Sequence, residues 1–255
     1  MEGQGYWVIV TVESGLIGEK TKYWVPGEPP TRSVRKMKSD IRKLRQNENN
    51  AIRRCARTLN VNWPSSDGYM ILLDFSPEGL AKIAPLYDKD NPETWDEALL
   101  AARHEMENWI RRCSRACKKA GIEFRYYGEA SDLDHDPKLQ TYVHCRPHCH
   151  VVVDPACVEI CKKAWKLGHA GEKQLKAEAD HYDLAKYLVE QTRRTKENEI
   201  TYTAARNLKK PKESLPRIAP SDKEVQPPRG ARVLHRTEYR YGRPQYIRYV
   251  IPKKE

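Results

Sequence analysis

The chain has 255 residues, of which 39% are hydrophobic, and its mean hydropathy is −0.83. That length holds one sizeable domain, or one domain with extensions, and no stretch is long and apolar enough to span a membrane. Lys and Arg number 46 against 35 Asp and Glu, a net charge of +11, and such an excess favours a polyanionic partner, because basic patches release counterions from a phosphate backbone.

In chain order, GYWVIVTV reads as a strand and is followed by a polar, Pro-rich loop, VPGEPPTRS. Over 33–59 the apolar residues Val34, Met37, Ile41, Leu44, Ile52, Cys55 and Leu59 recur at helical spacing. Between them stand many basic residues, among them Arg53, Arg54 and Arg57, so one or two helices with a basic exposed face are expected. NVNWPSSDG ends that stretch, and GYMILLDFS is a short apolar run bounded by turn signals, as in a central strand. Thr94 and Glu97 have the spacing of a capping box. They open a helix whose stripe is Leu99, Ala102, Met106, Trp109, Cys113, Cys117 and Ala120, stopped at Gly121.

IEFRYYGEAS reads as the next strand, with Ile122, Phe124 and Tyr126 on one face and Arg125, Tyr127 and Glu129 on the other. After a loop rich in Asp and Pro comes RPHCHVVVD, residues 146–154. Period two puts His148, His150 and Val152 on one face and Cys149, Val151 and Val153 on the opposite one. Asp154-Pro155 opens a helix with Cys157, Ile160, Cys161 and Ala164 as its stripe, closed by the segment Trp165–His169. A further helix is expected from about 173 or 177 to 194, and beyond 203 the chain turns Pro-rich and basic, with a β-hairpin over 239–250 turning at Gly242. The chain holds seven cysteines. Four lie in i, i+4 pairs, a poor place for disulfides, and the N-terminus lacks the pattern of a secretory signal, so a reducing cytoplasm is expected.

These elements predict an α+β fold, an antiparallel sheet with helices on one face. The histidines then emerge on the other face. If 122–131 pairs with 147–153 as a hairpin, Glu129 reaches the same point, and two imidazoles with one carboxylate suit a divalent ion that keeps positions open for substrate. Such an ion can polarise a phosphoryl oxygen. The helix after the histidines supplies Tyr187, with Tyr182 before it, and a tyrosinate attacking phosphorus is covalent catalysis that leaves a phosphotyrosine and a free 3′-hydroxyl.

RPHCHVVVD resembles the His-hydrophobe-His motif of HUH endonucleases, with Cys149 as the hydrophobe; GYMILLDFS stands where they carry their first strand motif, and DLAKYLVEQT resembles their tyrosine helix. RQNENNAIRRCARTLNVNWPSSDG resembles the Asn-rich helix and turn that precede that motif in rolling-circle replication initiators of bacterial phages and plasmids, with Trp63 for the usual Phe. AWKLGHA resembles their Trp-x-x-Gly segment and YTAARNLKKP their Ser-x-x-Leu-x-Lys-Pro segment, so the likeness covers about 40–212.

The resemblance implies a ferredoxin-like HUH domain over 61–200, flanked by a strand and basic helical region over 1–60 and a basic C-terminal extension over 201–255. It implies a site-specific endonuclease and ligase that nicks single-stranded origin DNA in the bacterial cytoplasm. His148, His150 and Glu129 would hold Mg2+ or Mn2+, Tyr187 would be the nucleophile, and Tyr182 a reserve. Arg53, Arg54, Arg57, Lys186, Arg193, Arg194, Arg206, Lys209 and Lys210 are the expected DNA contacts. Family members often carry Lys three residues after the tyrosine; here it is Glu190, which leaves that role to Gln191, Arg193, Arg194 or Lys186. No GxxxxGK[ST] phosphate loop is present, so an unwinding helicase, like the polymerase, would be a host protein, and no membrane partner is expected. The basic tail either binds origin duplex or folds back. Two other readings stand beside this one: a non-catalytic DNA-binding module with zinc on His144, Cys145, His148 and Cys149, and a transposase or relaxase using the same tyrosine chemistry.

Overall fold

The structure is a computed structural model that describes residues 5–27, 41–176, 180–192 and 202–252, with the side chains of 41–45 left undescribed. In chain order the elements are β1 (Gly5–Ser14), β2 (Ile17–Pro26), α1 (Ile41–Asn62), β3 (Tyr69–Phe75), α2 (Pro77–Ala81), α3 (Trp95–Lys119), β4 (Tyr126–Asp136), β5 (Thr141–Val153), α4 (Val158–Ala164), β6 (Gly168–Gln174), α5 (Tyr182–Glu190), β7 (Thr203–Ala204), β8 (Lys212–Glu213), β9 (Arg217–Ile218), β10 (Arg232–Arg236) and β11 (Gln245–Val250). The fold is α+β and every strand pairing is antiparallel. The chain forms two compact units. One gathers 1–62, 179–181 and 209–255; the other holds 63–178 and 182–208.

In the first unit the two ends of the chain share a sheet of order β10-β11-β2-β1-β8, with β9 also on β1. Gly15 makes the β1–β2 turn at φ +60, a conformation suited to glycine, with its α-carbon against the Asn60 carbonyl. β2 escapes sequence patterning because IGEKTKYWVP is polar. The basic helix begins at Ile41 among the described residues, and the earlier part of the expected helix lies outside them. Its inner face carries Ile52, Cys55 and Leu59, buried as the periodicity predicts, with Ala56 buried beside them.

The second unit is a five-stranded sheet of order β6-β3-β5-β4-β7. Its inner face presents Ile71, Leu73, Phe75, Ala130, Cys149, Val151 and Val153 to α2, α3 and α4. The α3 stripe is buried as expected from Leu99 to Cys117, with the Trp109 indole N–H donating to the Cys161 carbonyl at 2.9 Å, but Ala120 lies past the helix end and is exposed. Cys113, Cys117, Cys157 and Cys161 are free thiols in this core. Gly121, at φ +69, ends the region as predicted. The capping box does not form. Thr94 makes no cap bond; its hydroxyl donates to the Asp88 and Asn91 carbonyls and accepts from the Asp88 N–H, so the preceding loop has captured it.

Three further boundaries differ from expectation. β4 starts at Tyr126 and runs on to Asp136, where it pairs with Thr141, so only 137–140 form the turn. The segment Gly168–Gln174, read as a helix end and linker, is an edge strand on β3. Gly168 is required there, because a β-carbon would stand 2.0 Å from the Asp74 carbonyl oxygen. The last helix is the short α5, and residues 193–201 lie outside the described ones.

Asp154, at the end of β5, ties this unit together. Its carboxylate accepts from Trp63 Nε1 at 2.9 Å and from both Arg125 Nε at 2.9 Å and Nη2 at 2.6 Å. Asp154→Ala is expected to cost about 1–3 kcal/mol in urea unfolding, chiefly from the indole N–H stranded on the fully buried Trp63. Arg125 is partly exposed and can turn to water. Asp154→Asn, which keeps an acceptor, should lose less.

Candidate active site

The histidines stand where alternation puts them, on the sheet face opposite α3. Register extends the site into two cross-strand rows. One runs His169, Asp74, His148, Ser131; the other runs Gly171, Leu72, His150, Glu129. Facing partners in a sheet share a face, so Glu129 reaches His150 as the hairpin reading expects. Asp74 and His169 were not foreseen; Asp74 lies in plain view at the end of the ILLDF strand, but only the pairing of β3 with β5 and β6 shows what it faces.

α5 covers this face. Ala185 and Leu188 bury its inner side. Ser131 Oγ donates to the Gln191 carbonyl at 2.8 Å, and Tyr142 Oη donates to Glu190 Oε2 at 3.0 Å. Glu190, which stands where the resemblance looks for Lys, thus anchors the helix. The result is a chain of contacts. Glu129 Oε1 lies 3.3 Å from His150 Nδ1, and His150 Nε2 lies 3.4 Å from Tyr187 Oη. The Tyr187 ring meets the imidazole edge-on, centroids 5.3 Å apart. His148 sits beside His150, its Nδ1 3.1 Å from the Arg146 carbonyl and 3.5 Å from Cys145 Sγ. It is Tyr187 whose hydroxyl meets His150; Tyr182 is the first residue of the helix.

Burial governs the electrostatics. Glu129, His148 and His150 are 1%, 6% and 3% exposed. Burial pushes the Glu129 carboxyl up to about 8, against the pull of His148 and Arg103. It pushes His150 down to about 4 and also lowers His148, which His150 lowers further. Glu129 and His150 are therefore a neutral hydrogen-bonded pair near pH 7, not an ion pair. Burial, then Asp134, raises the Tyr187 phenol to about 12. Gln191 is buried beside His150 and Tyr187, with neither amide atom in a well-formed bond.

Matched against family models, curated proteins and solved structures, the chain finds no counterpart. What it does must be argued from its own residues.

The zinc set does not converge. Cys149 points into the helical core, while His144 stacks on Trp95 with ring centroids 3.4 Å apart and faces Asp132. Among the described residues, no group of three or more His, Cys, Asp or Glu side chains is placed to hold a metal ion, Glu129, His148 and His150 included. Two features of these three residues would nonetheless suit a divalent ion. Glu129 Oε2 is buried without a hydrogen-bond partner, and both imidazoles are held neutral, with lone pairs to give. A cation there would reverse the burial effect and favour the carboxylate.

The expected DNA contacts separate by environment. Arg57 makes a bidentate pair with Glu19, and the Arg53 guanidinium lies 3.8 Å from the Tyr246 ring centroid; both are built into the first unit. Arg54, Lys186, Arg206, Lys209 and Lys210 are exposed. Arg193 and Arg194 lie outside the described residues. Arg54, with Asn47 and Asn50, lines a cleft of about 460 Å³ between α1 and the sheet. The whole basic excess of the chain falls in the first unit; the unit with the histidines carries slightly more acidic than basic residues. Among the described residues, no helix is long and apolar enough to cross a membrane.

Proposed function

We propose that the chain is a metal-dependent tyrosine endonuclease and ligase for single-stranded DNA, an HUH nickase of ferredoxin-like design that starts rolling-circle replication. The observation that carries this reading is the contact of Tyr187 Oη with His150 on a sheet face that also holds His148 and a buried carboxyl with an unpartnered oxygen. The Tyr187 hydroxyl is turned inward onto an imidazole.

His148, His150 and Glu129 would hold Mg2+ or Mn2+, which when bound supplies charge stabilisation at a phosphoryl oxygen. In its carboxylate form, which a bound cation would favour, Glu129 would accept from Nδ1–H and leave the His150 Nε2 lone pair outward. The phenol and an ion would compete for that lone pair, so an ion on Nε2 would release the Tyr187 hydroxyl. Tyr187 is aimed by α5, which Ser131 and Tyr142 pin at its C-terminal end. Its oxygen forms a bond to phosphorus as the bond from phosphorus to the 3′ oxygen breaks; the phenolic proton is lost and the leaving oxygen gains one. The reverse reaction rejoins the strand. Positive charge for the polyanion resides in the first unit, at Arg54, Lys209 and Lys210 among others, and at Lys186 and Arg206 in the second.

The test is incubation of the purified chain with labelled single-stranded oligonucleotides from its own replicon, with and without Mn2+, on denaturing gels. A DNA–protein adduct that needs Mn2+ is expected. His148→Ala should lose metal-dependent cleavage and keep DNA binding. Retained cleavage in that variant would remove the metal assignment, and no adduct with any fragment would remove the nickase.

A further inference from the structure

Beside His148 the second unit has a cavity of about 600 Å³ that the nicking chemistry does not use. Its floor is apolar, formed by Leu80, Ala81 and Ala84, and its aromatic wall by Tyr87 and His144. That wall is braced. The His144 ring is stacked flat on Trp95 at 3.4 Å and 7°, with Nε2 3.3 Å from Tyr87 Oη and Nδ1 3.4 Å from Asp132 Oδ2. The flat stack on Trp95 and the Tyr87 contact set the orientation of the imidazole. The cavity adjoins the candidate active site along β5. Cys145 and Arg146 line it, Cys145 Sγ touches His148, and the Arg146 carbonyl lies against His148 Nδ1.

We propose that this cavity binds one nucleotide of the single strand, next to the phosphate that Tyr187 attacks. The inference rests on the nickase reading for its place in the reaction, though not for the binding itself. A fixed, stacked imidazole over an apolar floor suits the flat face of a base, which stacks on aromatic rings whatever its identity. The exposed Arg146 and Lys89 supply positive charge for the attached phosphate. Asp88 and Asp90 line the same cavity, and carboxylates accept from exocyclic amino groups but repel bare carbonyl edges. The pocket therefore prefers adenine, guanine or cytosine over thymine. A volume of about 600 Å³ lies within the range of small-molecule pockets and has room for one nucleotide.

The experiment is equilibrium dialysis of the full chain in EDTA against radiolabelled dAMP, dGMP, dCMP and dTMP, conditions in which no cleavage occurs. Saturable binding is expected, with dTMP about fivefold or more weaker. Ala81→Trp fills the cavity from an exposed position on α2 and should abolish binding. His144→Leu, which keeps bulk and removes the ring, should weaken it about tenfold. Circular dichroism of both variants reports folding. Absence of saturable binding, or equal binding by wild type and Ala81→Trp, overturns the proposal. The adduct assay separates the two readings. Nucleotide binding lost in Ala81→Trp, with no adduct from any strand, keeps the pocket and removes the nickase. An adduct formed at wild-type rate and sequence preference by Ala81→Trp, without mononucleotide binding, keeps the nickase and removes the pocket.

Discussion

Tyr187→Phe is expected to abolish the covalent DNA–protein adduct completely while single-strand binding stays near wild type. The substitution removes one oxygen. The ring keeps its edge-on contact with His150, and α5 keeps Ala185 and Leu188 in place and its anchors to Ser131 and Tyr142. What is lost is the atom that would bond to phosphorus, and no neighbouring group replaces it in kind, because phosphorus on His would be an acid-labile phosphoramidate and on Glu a hydrolysable acyl phosphate, neither sharing the acid stability of a phosphotyrosine. Tyr182→Phe is the control. It stands at the first position of the helix and should leave the adduct intact, unless two tyrosines alternate in strand transfer, in which case nicking persists and rejoining fails. Undiminished adduct in Tyr187→Phe would show that the phenol against His150 serves packing alone.

The same residues show what a sequence exposes and what it hides. The alternation in RPHCHVVVD is local, so it placed both histidines on one face and Cys149 in the core, as found. The spacing of Tyr187 to Leu188 and Ala185 is likewise local, and α5 presents it accordingly. The companion groups are not local. Asp74 faces His148 and His169 only through strand register, which depends on how three distant segments pair. β6 was missed because GHAGEKQ has no β-branched or alternating apolar residues; it is an edge strand held by pairing and by Gly168 under Asp74. Thr94 and Glu97 have capping-box spacing, yet a nearby loop competes for the hydroxyl and wins. The two chain ends, read as separate extensions, meet in one sheet because β2 pairs with both β1 and β11.

Arg57 makes the point with the largest stability effect. In the sequence it is one of five arginines on the basic helix α1, and one of the three that read as phosphate contacts. In the fold its Nε and Nη2 donate to the two oxygens of Glu19 at 2.9 and 2.8 Å, and Glu19, 3% exposed, also accepts from Tyr246 Oη. Arg57→Ala leaves a buried carboxylate without its counter-charge, so a loss of about 3–5 kcal/mol is expected. It should appear in urea titrations as a lower midpoint with unchanged slope. Adding Glu19→Gln removes the stranded charge and should recover part of the loss. Arg54→Ala, one residue-turn away and exposed, should leave unfolding within about 0.5 kcal/mol but weaken DNA binding and reduce its salt dependence. If instead Arg57→Ala unfolds like wild type and loses DNA binding, the ion pair is incidental and the helix offers both arginines to phosphate. Opposite results for two neighbours of identical chemistry would establish that burial, not residue type, decides which arginines of α1 are available to nucleic acid.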